Sequence, residues 1–370
     1  MPWTQLLKMP DNWSITRLIL LLMLLLTACE FDHATAPPYR SSTTIKNIVF
    51  DWSTHQRHAT GSDNWPLTWA DDDNQYTSWG DGGGFGGTNS KGRVSLGVAR
   101  IEGNAASYKG FNIWGGHNEE NSSTFKGKSY GISCIDGKLY MWVSPGSGKH
   151  GYDHSQLYLS TNHGASWSST NVKFTRLDGV IHPTFLQFGR DYSRVLDDYV
   201  YIYANRFKDD SEATLQVQKP GEIVLMRVQR NSITEQSAYT FFGGISGDDM
   251  PVWLPDLSAS KPVFHDPNGV GWATGGVIYN PDLKRYLLTT EHTATGKGNL
   301  GIFDAPEPWG PWTTVEYMHN FGVPHIENST FYWNFSGKWF RNNGKSFTLV
   351  FSGTGQNDAW NSVSGSFITD

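Results

Sequence analysis

Short runs of aromatic and β-branched residues, separated by turns of Asp, Asn and Gly, recur along the chain. Runs of this kind predict β-strands, and no segment between them shows the 3.6-residue apolar period of a helix. Five of the turns are followed by an aromatic residue at the same place in the next strand: Tyr76, Tyr140, Tyr201, Tyr286 and Phe347. Successive members of this set are 64, 61, 85 and 61 residues apart. The pattern therefore predicts an internal repeat of about 60 residues.

A repeat of this length, built only from strands, is typical of a β-propeller with four-stranded antiparallel blades. We expect an all-β protein with a single propeller of five blades, with up to seven as the alternative. The last repeat is one strand short, and the early segment 45–52 (IKNIVFDW) is a candidate for the missing outer strand. That pairing would close the ring and protect the edges of both sheets.

The N-terminus predicts an address in the cell envelope. Lys8 and Arg17 precede an uncharged apolar run over residues 18–26, which is typical of a signal peptide and too short to span a membrane. The residues before Cys29 (Leu-Thr-Ala) resemble a bacterial lipobox, so we expect Cys29 to be lipidated, with an ordinary secretory signal as the alternative. We expect residues 1–29 to be the signal, residues 30–45 a flexible tether, and residues 46–370 a catalytic propeller at the outer membrane.

Composition narrows the class of partner. Aromatic residues reach 14%, charged residues only 17%, and the net charge is −6. Because no stretch is rich in Lys and Arg, we expect no nucleic-acid partner, and membrane contact only through the lipid anchor. Two cysteines form no disulfide framework, which leaves Cys134 as a buried free thiol. We expect a monomer that acts on an acidic polysaccharide.

Ligands of propellers bind at the axial mouth, so loops rich in Gly, His and Trp are the candidates for substrate contact. The candidate substrate-binding residues are Trp79, Trp114, Asn118, His150, Tyr152, His154, His182 and His292. His117 leaves a strand through two glycines, and Arg206 ends an apolar strand where it could pair with a carboxylate, or form a structural ion pair instead. No cofactor is required, although Asp81 or the His150/His154 pair could hold a structural calcium or zinc ion.

Four segments resemble the secreted bacterial β-propeller group that includes ulvan lyases: residues 61–85, 112–117, 303–312 and 351–361. The resemblance implies a carbon–oxygen lyase acting by β-elimination on uronate-bearing polysaccharide, or a dehydratase acting on oligosaccharide ends. By the same resemblance, His117 and Tyr192 would transfer protons and Arg206 would neutralise the uronate carboxylate. Lys128-Ser129-Tyr130 stands where that group is expected to have a second histidine.

Two other classes compete with the lyase. A five-bladed glycoside hydrolase would need two carboxyl groups flanking the glycosidic bond, for which Asp81, Asp266 and Glu291 are candidates. A non-catalytic surface lipoprotein that binds glycans would need only the abundant Trp and Tyr side chains as stacking platforms.

Overall fold

The structure, a computed structural model, describes residues 35–118, 125–145, 152–207, 217 and 221–369. Residues 37–370 form one compact unit. In the described part of the chain, helix occurs only as three-residue 3-10 turns, and none is long and apolar enough to span a membrane. All other regular structure is β, so the expectation of an all-β protein is confirmed.

Most strands form antiparallel groups in which neighbours along the chain are also neighbours in the sheet. The chain starts with β1 (Asn47–His58), which belongs to the last group. The first group comprises β2 (Leu67–Trp69), β3 (Gln75–Gly80), β4 (Leu96–Asn104) and β5 (Ser107–Trp114). The second comprises β6 (Lys128–Ile135), β7 (Lys138–Ser144), β8 (His154–Ser160) and β9 (Ser168–Thr175).

The third group is extended at its outer side. It comprises β10 (Val180–Gln187), β11 (Tyr199–Arg206), β12 (Glu222–Gln229) and β13 (Thr240–Ile245), with β14 (Pro251–Leu254) and β15 (Pro262–His265) added. A short β16 (Gly269–Val270) then leads to the fourth group: β17 (Val277–Asn280), β18 (Arg285–His292), β19 (Leu300–Ala305) and β20 (Thr313–Met318). These added strands account for the longest interval of the sequence repeat.

The last group joins the two ends of the β-domain. It comprises β21 (Thr330–Phe335), β22 (Ser346–Gly353), β23 (Trp360–Ile368) and, at the outside, β1. Strand β1 pairs antiparallel with β23, with Asn47 opposite Ile368 and His58 opposite Trp360. The prediction that the early segment supplies the missing outer strand is confirmed. The architecture is a β-propeller, as the repeat predicted.

Aromatic side chains pack the groups against one another. Trp65, just before β2, meets Trp360 of β23 edge to face at 5.4 Å, so the first and last groups are joined by a buried tryptophan pair. The five aromatics that marked the repeat are all buried. Cys134 is buried with a free thiol, as expected.

The domain begins earlier than residue 46. The ring of Tyr39 packs on Phe264 and Phe303, with centroid distances of 5.3 and 5.9 Å. Ser42 N donates to Thr314 O at 2.7 Å, and Ile45 is buried. The predicted tether boundary is therefore corrected, because its aromatic and apolar residues pack on the β-domain. Cys29 and the predicted signal lie outside the described residues.

The direction of the strands divides the loops between two ends of the ring. Because neighbouring strands within a group are antiparallel, connections after second strands lie at the same end as the crossovers between groups. We call this end the mouth. Turns after first and third strands lie at the opposite end, which we call the base.

Candidate active site at the mouth

The innermost strands begin at equivalent positions at the mouth. Strand registers place Asp63 opposite Gly80, Lys128 opposite Ser144, Val180 opposite Arg206, and Thr330 opposite Gly353. Asp63 and Lys128 therefore occupy the same place on neighbouring groups. In the second, third and last groups a bulge interrupts the pairing just after this position. A bulge redirects the side chains beside it, which here lie near the ring axis.

Lys128 lies among carboxyl groups. Its Nζ is 2.7 Å from Oδ1 of Asp81, which also lies 3.5 Å from a guanidinium nitrogen of Arg93. Gly80 allows this close approach, because a Cβ there would lie 2.9 Å from Lys128 Nζ and 3.0 Å from Asp63 Oδ1. Asp63 and Asp81 thus both lie close to one buried ammonium group.

The two carboxyls have different surroundings. Loss of hydration raises the pKa of Asp63 to about 7, and the negative charges of Asp81 and Asp358 act in the same direction. Lys128 and a 2.7 Å hydrogen bond from Asn64 Nδ2 oppose this rise. Asp81, in contrast, is 41% exposed and ion-paired with two cations. The two carboxyl groups therefore differ in burial and in their charged partners.

Aromatic rings lie on the inner strands beside this cluster. The ring of Tyr130 lies 4.4 Å from that of His182 and 5.5 Å from that of Tyr332, whose hydroxyl donates to Tyr130 O at 2.8 Å. His182 is buried, so the prediction that it contacts substrate is corrected. Its side chain packs against Tyr130 near the axis of the propeller. Tyr152 is partly exposed, and burial together with the charges of Asp81 and Asp63 raises its pKa. Tyr152 is therefore a neighbour of the carboxyl pair.

The predicted roles of Tyr192 and Trp79 are corrected, because both side chains are buried. Tyr192 follows the end of β10, in the turn Arg190–Tyr192, and so lies at the base, whereas Arg206 ends β11 at the mouth. The hydroxyl of Tyr192 is buried and accepts a hydrogen bond from Tyr201 N at 3.0 Å, so it is not available to contact a substrate. Trp79 is fully buried and donates through Nε1 to Gly82 O at 3.3 Å.

Arg206 forms the structural ion pair that was the alternative to substrate binding. One guanidinium nitrogen lies 3.3 Å from Glu222 Oε2, and another donates to Ser260 O at 2.6 Å and Ser260 Oγ at 3.0 Å. With these partners the fork is already engaged by the third group. A free uronate clamp at Arg206 is therefore not what the structure describes.

His117 and Asn118 line a separate groove. Its volume is about 740 Å³, and Phe85, Arg100 and Phe111 also contribute to its wall. The groove lies along the outer strand of the first group, and Trp114 of that strand packs on Phe125 at 5.6 Å. The three residues of the predicted lyase site thus have separate surroundings.

The remaining candidates are carboxyl and histidine side chains in several groups. Glu291 and Asp266 line one small buried cavity, where burial raises the pKa of Glu291 to about 8. His292 is buried and stacks on Tyr317 at 3.6 Å; burial, helped by His319, lowers its pKa to about 4. His154 is partly exposed at the start of β8, while His150 lies outside the described residues.

Asp81 was the other candidate for holding a structural ion. Its carboxylate forms an ion pair with the ammonium group of Lys128.

Neither Asp63 nor Lys128 was singled out as a site candidate from the sequence. The signal that might have found Asp63 is its place directly before the first inner strand, in the segment Asp-Asn-Trp-Pro. Lys128 had been noted only as a departure from a pattern with histidine. Their pairing depends on the register of neighbouring groups.

The chain resembles known proteins in part of its sequence and in its fold. Residues 130–356 match the family model described as Domain of unknown function (DUF4185). No curated protein sequence matches this chain. A solved structure from Bacteroides ovatus has a TM-score of 0.50 at 8% identity, covering 82% of this chain and 85% of that one.

Two further solved structures are less similar. The GH43_1 enzyme from Xanthomonas citri has 12% identity, a TM-score of 0.48 and coverage of 88% of this chain and 90% of its own. The α-L-arabinanase of Penicillium chrysogenum has 9% identity, a TM-score of 0.43 and coverage of 90% and 98%. Because the family model spans more than half of the sequence, this chain belongs to the DUF4185 family.

Proposed function

We propose that this protein is a glycoside hydrolase that uses Asp63 and Asp81 as its paired carboxyls. One observation carries the proposal: two carboxyl groups at the mouth lie near the same ammonium group, Lys128, and one of them, Asp63, has its pKa raised to about 7. Such a pair marks the acid and the base of a glycosidase. This replaces β-elimination, which was our first hypothesis from sequence, with the hydrolase that was its alternative.

Asp63 is the proposed general acid. Cleavage of a glycosidic bond requires a proton on the departing oxygen, and a carboxyl with a pKa of about 7 still carries one near neutral pH. Asp63 as a whole residue is partly exposed. Its main-chain N–H and C=O both pair with Gly80, at 2.9 and 2.7 Å, which fixes the backbone from which the carboxyl projects.

Asp81 is the proposed base or nucleophile. Lys128 and Arg93 stabilise its negative charge, and its exposure lets it meet a water molecule or the sugar ring. Lys128 Nζ lies 2.7 Å from Asp81 Oδ1, and a Cβ on Gly80 would lie 2.9 Å from that nitrogen and 3.0 Å from Asp63 Oδ1. These distances keep the two carboxyl groups within the roughly 9.5 Å upper limit for glycosidases. The same pair can therefore flank a glycosidic bond.

The substrate in this proposal is a polysaccharide or oligosaccharide. Tyr152 offers a ring beside the carboxyls for stacking on a sugar, and Lys128 and Arg93 favour a glycan that bears negative charge. Lipid anchoring at Cys29, an outer-membrane location and a monomeric state stay part of the proposal. They rest on the residues around Cys29 and on composition.

The first experiment identifies the product. The full chain is incubated with neutral and uronate-bearing polysaccharides, and both new reducing ends and ultraviolet absorbance of 4,5-unsaturated sugars are followed. We expect reducing ends without absorbance. Absorbance would overturn hydrolysis in favour of elimination, and binding without either product would favour a non-catalytic glycan-binding protein.

The second experiment tests Asp63 directly. Asp63→Asn should lower kcat by roughly 10²–10⁴-fold, because the amide cannot donate the proton that the leaving group needs. In the parent enzyme, activity should fall as pH rises through about 7, where Asp63 loses its proton. Asp249→Asn, at an exposed turn, is the matched control. Normal activity of a folded Asp63→Asn variant would contradict the assignment.

A further inference from the structure

Three side chains of types that can bind metal ions lie together at the base, on the side of the propeller away from Asp63. Asp71 and Asp72 lie in the turn between β2 and β3, and His163 lies in the turn between β8 and β9. Nε2 of His163 is 2.8 Å from Oδ1 of Asp71. One ligand atom from each of the three residues lies within 4.8 Å of the other two. The cluster therefore joins turns from two neighbouring groups.

The turn that carries His163 is held by its own hydrogen bonds. Ser160 Oγ accepts from Gly164 N at 2.9 Å, and Asn162 Oδ1 accepts from Ser166 N at 2.9 Å. The imidazole stacks on the ring of Tyr76 at 5.8 Å with an interplanar angle of 24°. Its orientation toward Asp71 is thus set before any ligand binds, as a metal-binding imidazole requires.

Asp72 is held by neighbours in a similar way. Its Oδ2 accepts from Tyr76 Oη at 2.7 Å and from Asn74 Nδ2 at 2.9 Å. The carboxylate is therefore oriented by hydrogen bonds from neighbouring residues, as ligating carboxylates commonly are.

The surroundings add donors and one cation. The thiol of Cys134 lies 3.8 Å from Asp71 Oδ1 and 3.4 Å from Asp191 Oδ1, so a soft donor and a third carboxylate adjoin the cluster. Arg190 binds the main-chain carbonyl of Asp71 rather than its carboxylate. The side chains of Asp71 and His163 are 39% and 37% exposed, which gives an ion access from solvent.

We propose that Asp71, Asp72 and His163 bind a divalent transition-metal ion, with zinc as the best fit. Imidazole and carboxylate together suit zinc, whereas calcium prefers oxygen ligands only. The ion would take the place of the direct contact between His163 and Asp71 and tie the first group to the second. The proposal concerns the base and does not depend on the hydrolase at the mouth.

The binding experiment uses the full chain after treatment with a chelator. Isothermal titration with zinc chloride should show one equivalent bound, and calcium chloride should bind at least tenfold more weakly. Absence of zinc binding would overturn the proposal, and so would calcium binding more tightly than zinc.

Variants assign the binding to these residues. His163→Ala and Asp72→Asn should each weaken zinc binding by at least tenfold, because each removes a ligand atom. His154→Ala, at the mouth end of β8, is the matched control and should bind zinc as the parent does. Circular dichroism without metal establishes that the variants are folded. Parent-like zinc binding in both folded variants would refute the site.

Discussion

Asp63 and Glu291 both have strongly raised pKa values, but the residues around them differ. Asp63, at the mouth, has a pKa of about 7 and shares its surroundings with Asp81, Asp358 and Lys128. Glu291, in the fourth group, has a pKa of about 8, raised by burial and opposed only by a hydrogen bond from Gly296 N–H. Glu291 is 4% exposed, whereas Asp63 is partly open to solvent.

The comparison shows that a raised pKa alone does not mark a catalytic acid. Glu291 shares its small cavity with Asp266, but both carboxyl groups are almost fully buried, so a glycan has no access to them. At Asp63 the second carboxyl and a cation are both present, so the proton can be given up to a substrate beside a stabilised negative charge. We therefore assign chemistry to the mouth and a structural role to Glu291.

Replacing Glu291 should produce the largest effect on stability. The folded protein holds a proton on Glu291 that the unfolded chain releases above about pH 4.5, so the parent loses stability as pH rises toward about 8. Glu291→Gln removes this titration, and its stability relative to the parent should rise by at most about 1.4 kcal/mol per pH unit in that window. Urea unfolding at several pH values measures the difference.

The same variant also tests the comparison. Glu291→Gln should retain kcat within about twofold, because the cavity that Glu291 shares with Asp266 is closed to a glycan. Glu235→Gln, at an exposed position, controls for the substitution itself. Loss of activity in a stable Glu291→Gln variant would move the proposed chemistry from the mouth to the fourth group.

Removing the cation should change activity and its pH dependence together. Lys128 lowers the pKa of Asp63, so Lys128→Met should raise that pKa above 7 and move the alkaline limb of the activity profile to higher pH. The ion pair with Asp81 is lost as well, and kcat should fall by about tenfold. Lys126→Met, an exposed lysine in the same segment, is the control. An unmoved limb would show that Lys128 does not act on Asp63.

Much of the fold was predictable because short stretches of sequence determine its turns and strands. The turns before Tyr76, Tyr140 and Phe347 combine Gly, Asp or Asn with a following apolar strand, and these rings are buried as a packing role requires. The unpaired last repeat also predicted that the segment now seen as β1 completes the ring. Such signals depend on a few consecutive residues and on a count of strands.

The site was harder to predict because it depends on register between groups. Asp63 and Lys128 are 65 residues apart in sequence and come close only because Asp63 pairs with Gly80 just before β2 while Lys128 begins β6 of the next group. The resemblance to the lyase group placed Tyr192 and Arg206 in one site, yet Tyr192 lies at the base and Arg206 at the mouth. Glycine-rich neighbours drew attention to Trp79, whose ring instead fills the space that those glycines leave.

Neutralising Asp358 should give the smallest effect, with the opposite sign to Lys128→Met. The negative charge of Asp358 raises the pKa of Asp63, so Asp358→Asn should lower that pKa and move the alkaline limb to lower pH by less than about one unit. The main-chain carbonyl of Asp358 keeps its hydrogen bond from Gly61 N, so the fold should be retained.

The two pH profiles, measured side by side, test whether charges at the mouth set the proton affinity of Asp63. Shifts in opposite directions mean that both charges act on one titrating group, since a general loss of stability moves the two profiles alike. Shifts in the same direction would contradict the assignment of the alkaline limb to Asp63. A control at Asp249, whose substitution leaves the mouth unchanged, should show no shift. The sign of the shift therefore distinguishes an electrostatic site from a buried carboxyl of the Glu291 kind.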